Sequence, residues 1–92
     1  MKQIWYVYII QNDRNGTFYT GITTDIIKRI LKHNTGKGAK FTRGRGKWNI
    51  VYSEQILGNG EALKREYSIK KLTRNQKINL ILDSSTSQVF HP

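Results

Sequence analysis

The stretch IWYVYIIQNDRNGTFYTGI, Ile4 to Ile22, reads as a β-hairpin. Its first half is β-branched and aromatic, the composition of a strand buried on both faces or nearly so. Asn12, Asp13, Asn15 and Gly16 follow, and these tolerate the positive backbone angles of a hairpin turn. A second strand, Thr17 to Ile22, then runs back. With Asn15-Gly16 as a two-residue loop, paired positions sum to 31, an odd number, and that parity puts Tyr8 and Tyr19 on one face. A longer loop that keeps the sum odd brings them closer together.

Outward from the hairpin, Thr24 or Asp25 caps a helix of about Asp25 to Asn34. Ile26, Ile27, Ile30 and Leu31 form its apolar stripe, with Arg29 and His33 on the polar shoulder and Lys28 and Lys32 facing solvent. The stretch from Thr35 to Lys47 holds four glycines among Lys37, Lys40, Arg43, Arg45 and Lys47 and reads as a loop whose backbone can approach phosphates. Trp48 to Ile56 is a third strand, ended by Gly58, Asn59 and Gly60. A second helix spans about Glu61 to Leu72. A third, capped by Thr73, spans about Arg74 to Leu82. The expected fold is α+β in the order β-β-α-β-α-α: a three-stranded, mainly antiparallel sheet flanked by helices. One domain covers residues 1–83, with a poorly ordered tail over 84–92.

The chain has 92 residues, enough for one thin core, and no cysteine, which removes disulfides, thiolate metal sites and a cysteine nucleophile. Two histidines argue against zinc. The longest apolar run, Ile4 to Ile10, is far short of a membrane span and lacks the flanks of a signal peptide. A cytoplasmic protein without membrane attachment is expected. Sixteen Lys and Arg against six Asp and Glu give a formal charge of +10, which favours a polyanionic partner, nucleic acid first, over a merely soluble basic surface or a membrane-surface binder. The patch is one-signed, because no acid lies between Asp25 and Glu54.

Glu66 falls near the middle of the arc that Ala62, Leu63, Tyr67 and Ile69 define as the inward side of the second helix. An inward carboxylate is normally paired or bound to a cation. A plain i,i+4 pair with Lys70 is the other reading. Arg29 can be a solvated arginine pairing with Asp25, His33 a packing histidine, and Tyr8 and Tyr19 core residues.

Taken in order, Tyr6-Val7-Tyr8, Tyr19-Thr20-Gly21, Arg29, His33 one turn later and Glu66 on a following helix resemble the GIY-YIG nuclease superfamily. The nearest likeness is to its short stand-alone bacterial members, with YTGITTDIIKRILKHNTGKGAKFTR as the most telling stretch. Tyr6 replaces the first glycine of the signature, Thr20 its aliphatic centre, and Thr23 stands where several members carry lysine. The resemblance implies a metal-dependent endonuclease-like phosphodiesterase acting on structured or branched nucleic acid, DNA rather than RNA. It also implies roles. Glu66 holds one divalent cation, magnesium or else manganese, and Tyr19 acts as or orients the general base, with Tyr8 packed beside it. Arg29 steadies the phosphate, and His33 supports the nucleophile or proton transfers. Gly21 leaves room for the substrate backbone, and Lys37, Lys40, Arg43, Arg45 and Lys47 bind nucleic acid, with Phe41 and Trp48 adding stacking. A monomer is expected, with targeting supplied by a protein partner. The alternatives are a non-catalytic nucleic-acid-binding module and an RNA-associated accessory protein.

Overall fold

A computed structural model describes residues 2–89, with side chains described through residue 84. The elements run β1 (Ile4–Asn12), β2 (Phe18–Thr23), α1 (Ile26–Asn34), β3 (Trp48–Leu57), α2 (Asn59–Lys70) and α3 (Arg74–Val89). Both neighbours of β1 are antiparallel, in the strand order β2-β1-β3.

The hairpin turn is longer than the two-residue loop expected. β1 pairs with β2 through Tyr8↔Gly21 and Ile10↔Tyr19, so paired positions sum to 29 and the odd parity survives. Asn12 supplies the reason. Its side-chain oxygen accepts from the backbone of Arg14 (2.9 Å) and Asn15 (3.3 Å), closing an Asx-type turn that leaves Gly16 alone with a positive φ of 74°. Tyr8 and Tyr19 thus share a face and lie diagonally across the ladder, nearer than the shorter loop would place them.

Alternation along β1 sorts the molecule into two cores. Val7 and Ile9 point to the face covered by α2 and α3, where they meet Ala62, Ile69, Leu80 and Ile81. Tyr8 and Ile10 point the other way, against Trp48, Tyr19, Ile26 and Ile30. Covering both faces of the central strand explains why β1 is a continuous apolar run. A register shift between Ile9 and Ile10 lets β3 carry Val51 as an extra residue and bend over the first core.

Helix caps follow the sequence closely. Asp25 accepts from the Lys28 amide (3.1 Å), and Thr73 and Gln76 bond reciprocally, Gln76 N to Thr73 Oγ1 at 3.2 Å and Thr73 N to Gln76 Oε1 at 2.9 Å. α2 starts at Asn59, earlier than expected, because Gly58 takes a φ of 92° that turns the chain straight from strand to helix. α3 runs past Leu82 to Val89, through residues expected to belong to a poorly ordered tail; no glycine or proline intervenes to stop it. Residues 90–92 of that tail lie outside the described residues.

Two apolar faces differ from expectation. Ala62 and Ile69 are the buried residues of α2, while Leu63 and Tyr67 are exposed, since the small Ala62 brings the helix down on the sheet and leaves its flank in solvent among the described residues. On α1, Ile26 and Ile30 pack inward, but Ile27 and Leu31 stand in solvent. No helix among the described residues is long and apolar enough to cross a membrane.

Candidate functional site

Three side chains from two elements, β1 and α1, meet on the Tyr8 face of the sheet. The Tyr8 hydroxyl lies 2.9 Å from His33 Nε2 and accepts from Arg29 Nε at 3.3 Å. Arg29 and His33 are four apart on α1, so one helical face delivers both to the same strand residue. Tyr19 completes the group through its ring, packed edge-on to His33 with centroids 5.3 Å apart.

Gly21 lies on β2 beside the same tyrosines. It is buried opposite Tyr8, and a Cβ there would lie 2.6 Å from the Tyr8 hydroxyl oxygen and 3.2 Å from the Tyr19 ring. The missing side chain makes room for the two tyrosines.

His33 is fully buried rather than on a polar shoulder. Burial, reinforced by the Arg29 charge, lowers its pKa from 6.5 to about 4, so the imidazole is neutral near pH 7. Burial also pushes the Tyr8 phenol up from 10.0; the Arg29 guanidinium opposes the shift, while Tyr19 and Glu66 add to it. Arg29 itself is raised, chiefly by its hydrogen bond to Tyr8.

Glu66 stands apart from this group. α2 packs over β1 and β2 on the opposite face from α1, and among the described residues the Glu66 carboxylate bonds to none of Tyr8, Tyr19, Arg29 and His33; its charge is the smallest influence on the Tyr8 phenol. Its ion-pair partner among the described residues is Lys70, at 3.3 Å one turn on, with the Glu66 side chain 18% exposed. Among the described residues no three His, Cys, Asp or Glu side chains gather as a metal-binding group. One half-buried carboxylate fits a hard cation that keeps most of its waters and takes further oxygens from a phosphate, and does not fit a protein-made cage.

The glycine-rich segment is more constrained than its composition suggests. Asn34 accepts from the Trp48 backbone N–H (2.7 Å) and donates to the Trp48 carbonyl (3.1 Å), while Asn12 donates to Arg45 O (2.8 Å). Trp48 is 1% exposed, its indole N–H donating to Thr42 O, so it is core and unavailable for stacking on a nucleic acid. Phe41 is 41% exposed, lying nearly parallel to Tyr19 (5.8 Å, 21°) with the Arg45 guanidinium 4.7 Å above its ring. Lys37, Lys40, Arg43, Arg45 and Lys47 are all exposed, and none forms an ion pair among the described residues.

Residues that sequence reasoning passed over include Thr42, buried with its hydroxyl 2.8 Å from His33 Nδ1, and Gly38, where a Cβ would lie 2.5 Å from that nitrogen. A threonine and a glycine in a glycine-rich run carry no signal of such proximity. Arg65, hydrogen-bonded to Glu54, which also accepts from Tyr52 (3.0 Å), ties α2 to β3. That acid–phenol–guanidinium alternation was not legible without the register.

The model of the GIY-YIG catalytic domain matches residues 4–79. A UPF0213 protein of Clostridium perfringens is 51% identical over 83 residues, covering 90% of this chain and 88% of its own length. One from Pectobacterium carotovorum is 47% identical over 79 residues, covering 86% of this chain and 79% of that one. Among solved structures, the UPF0213 protein of Bacillus halodurans matches with a TM-score of 0.54 at 44% identity, over 86% of this chain and 83% of that one. A protein from E. faecalis matches with a TM-score of 0.59 at 34% identity, over 100% and 96%. With these short bacterial relatives and a fold order that places both signature tyrosines on one face, the chain belongs to the GIY-YIG catalytic domain family, a module of nuclease type.

Proposed function

We propose that the chain is a metal-dependent endonuclease-like phosphodiesterase acting in the cytoplasm on structured or branched nucleic acid, DNA rather than RNA, as a monomer directed by a protein partner. The observation that carries this reading is the bonding of Tyr8 to both Arg29 and His33. A pure binding surface gains nothing from gathering a phenol, a neutral imidazole and a guanidinium around one oxygen.

Phosphodiester hydrolysis needs charge neutralisation, an aligned water and a route for protons. Arg29, oriented by its bond to Tyr8, steadies the phosphate and its developing charge. Tyr19 acts as or orients the base for the attacking water, and neutral His33 supports that water or the proton transfers. Glu66 would hold a magnesium ion, or manganese, whose chemistry is to offset phosphate charge and lower the pKa of a bound water. To do so it must release Lys70. Lys37, Lys40, Arg43, Arg45 and Lys47 track the phosphate backbone, and exposed Phe41 offers a ring to an unpaired base beside Tyr19.

The test is incubation with magnesium or manganese and a panel of labelled branched, flapped and single-stranded substrates. Metal-dependent cleavage abolished in Glu66→Ala supports the reading; cleavage that survives in Glu66→Ala removes the metal-ligand role. The Glu66–Lys70 pair favours a second reading, a non-catalytic binding module, selected by salt-dependent binding without cleavage. Tighter binding to structured RNA than to DNA would turn that reading towards an RNA-associated accessory protein.

A further inference from the structure

The geometry points to Thr42 as a positioning residue that fixes His33 in its Nδ1–H tautomer and thereby makes Tyr8 face the candidate site as a hydrogen-bond acceptor only. The tautomer follows from counting protons. The Thr42 hydroxyl has one proton and two close neighbours, the Ala39 carbonyl oxygen at 2.9 Å and His33 Nδ1 at 2.8 Å. A carbonyl can only accept, so the hydroxyl proton lies on that side and Nδ1 must donate to Thr42. The reverse order would leave two bare oxygens 2.9 Å apart, which repel.

The rest of the chain of bonds then has one direction. A neutral imidazole protonated at Nδ1 carries a lone pair at Nε2, and its neighbour there is the Tyr8 hydroxyl at 2.9 Å, which must donate. Arg29 Nε donates to the Tyr8 oxygen at 3.3 Å. That uses the hydroxyl proton and one of the oxygen's two lone pairs, so a single lone pair remains. Phosphate oxygens without a proton also only accept, and Tyr8 cannot hold one. A water molecule, which donates, can pair with that lone pair once local opening admits it, since Tyr8 is 1% exposed. This consequence rests on the nuclease reading and assigns Tyr8 to the attacking-water side of the site, with Arg29 left to the phosphate.

The surroundings fix Thr42 in turn. Its carbonyl accepts from the buried Trp48 indole at 3.2 Å, and its amide bonds to Ala39 O at 3.0 Å. Gly38 allows that turn to lie against the imidazole, since a Cβ at 38 would fall 2.8 Å from His33 Cα.

The experiment is long-range proton–nitrogen NMR on the full chain, with the His33 signals identified by their loss in His33→Gln. The expected result is a proton on Nδ1 in the wild type and in Thr42→Ser, and a shift of the proton towards Nε2 in Thr42→Val. Cleavage by Thr42→Val should fall by about 10- to 100-fold, as when an orienting partner of a site histidine is removed, with Thr42→Ser close to wild type. A wild-type proton on Nε2 overturns the proposal without any variant, and so does a Thr42→Val protein whose proton stays on Nδ1. If the tautomer is as stated and no substrate is ever cleaved, the nuclease reading fails while the tautomer assignment stands.

Discussion

The hydroxyl oxygen of Tyr8 occupies the space that a Cβ at Gly21 would need, at 2.6 Å. Gly21→Ala therefore has to move a buried phenol that is held by two other side chains. Overpacking of this kind costs about 1–3 kcal/mol. The same substitution in a Tyr8→Ala background should cost much less, because the crowded atoms are gone. Denaturant unfolding of the four proteins of this double-mutant cycle checks it; equal costs in both backgrounds would refute the crowding.

His33 links folding to pH. The unfolded imidazole takes its proton near 6.5 and the folded one near 4, so between these values the unfolded state holds more protons. The stabilisation from keeping His33 neutral is complete above 6.5 and is lost as pH falls towards 4, amounting to about 3 kcal/mol at most. Carboxylates titrate in the lower part of this range, so the measure is the difference between wild type and His33→Gln across pH 7 to 4. A difference that stays constant would mean His33 titrates normally in the fold.

Lys70 competes with any cation for Glu66. An i,i+4 pair of this kind is worth about 0.3–0.5 kcal/mol, so Lys70→Met should tighten magnesium or manganese binding by roughly twofold, readable as amide shifts near Glu66 in a metal titration. Weaker binding in the variant would place the cation elsewhere.

Neutralising Arg43 and Lys47 together should flatten the salt dependence of duplex DNA binding by up to about 0.9 for each phosphate that the pair engages. Phe41→Ala should leave that slope alone and cost about 1–3 kcal/mol for single strands, if a base stacks on the ring. Binding isotherms at several salt concentrations separate the two effects. They are best measured in Glu66→Ala, so that cleavage does not intrude.

Thr20 carries a buried hydroxyl with no hydrogen-bond partner among the described residues, on the face of β2 that meets the core beneath α2 and α3. Thr20→Val keeps the shape and removes the desolvated group, and should stabilise the fold by about 1 kcal/mol. Thermal unfolding checks the sign; a loss of stability would reveal a partner for that oxygen.

The hairpin and both helix caps were legible because they depend on short-range rules. Parity of pairing needs no knowledge of loop length, which is why the shared face of Tyr8 and Tyr19 was readable although the turn itself was not. Packing set by what covers a surface was not. The inward arc of α2 could not be drawn from its own sequence, because Ala62 rather than Leu63 determines how close the helix lies to the sheet. Trp48 reads as a stacking residue in sequence, whereas Asn34 and Thr42 bind its backbone and indole and hold it in the core. Gly21 and Thr42 act by sub-ångström fit to rings distant in sequence, information that no local pattern holds.

The two bonds between Asn34 and the backbone of Trp48 close the cationic loop into a ring at its base. Chain entropy that a free glycine-rich segment would lose when a polyanion arrives has therefore been lost already, during folding. A charged surface prepared in this way needs little reorganisation at encounter. Complex formation should then be fast and governed by long-range attraction, with the amides at positions 34 and 12 limiting how much loop flexibility binding has to overcome.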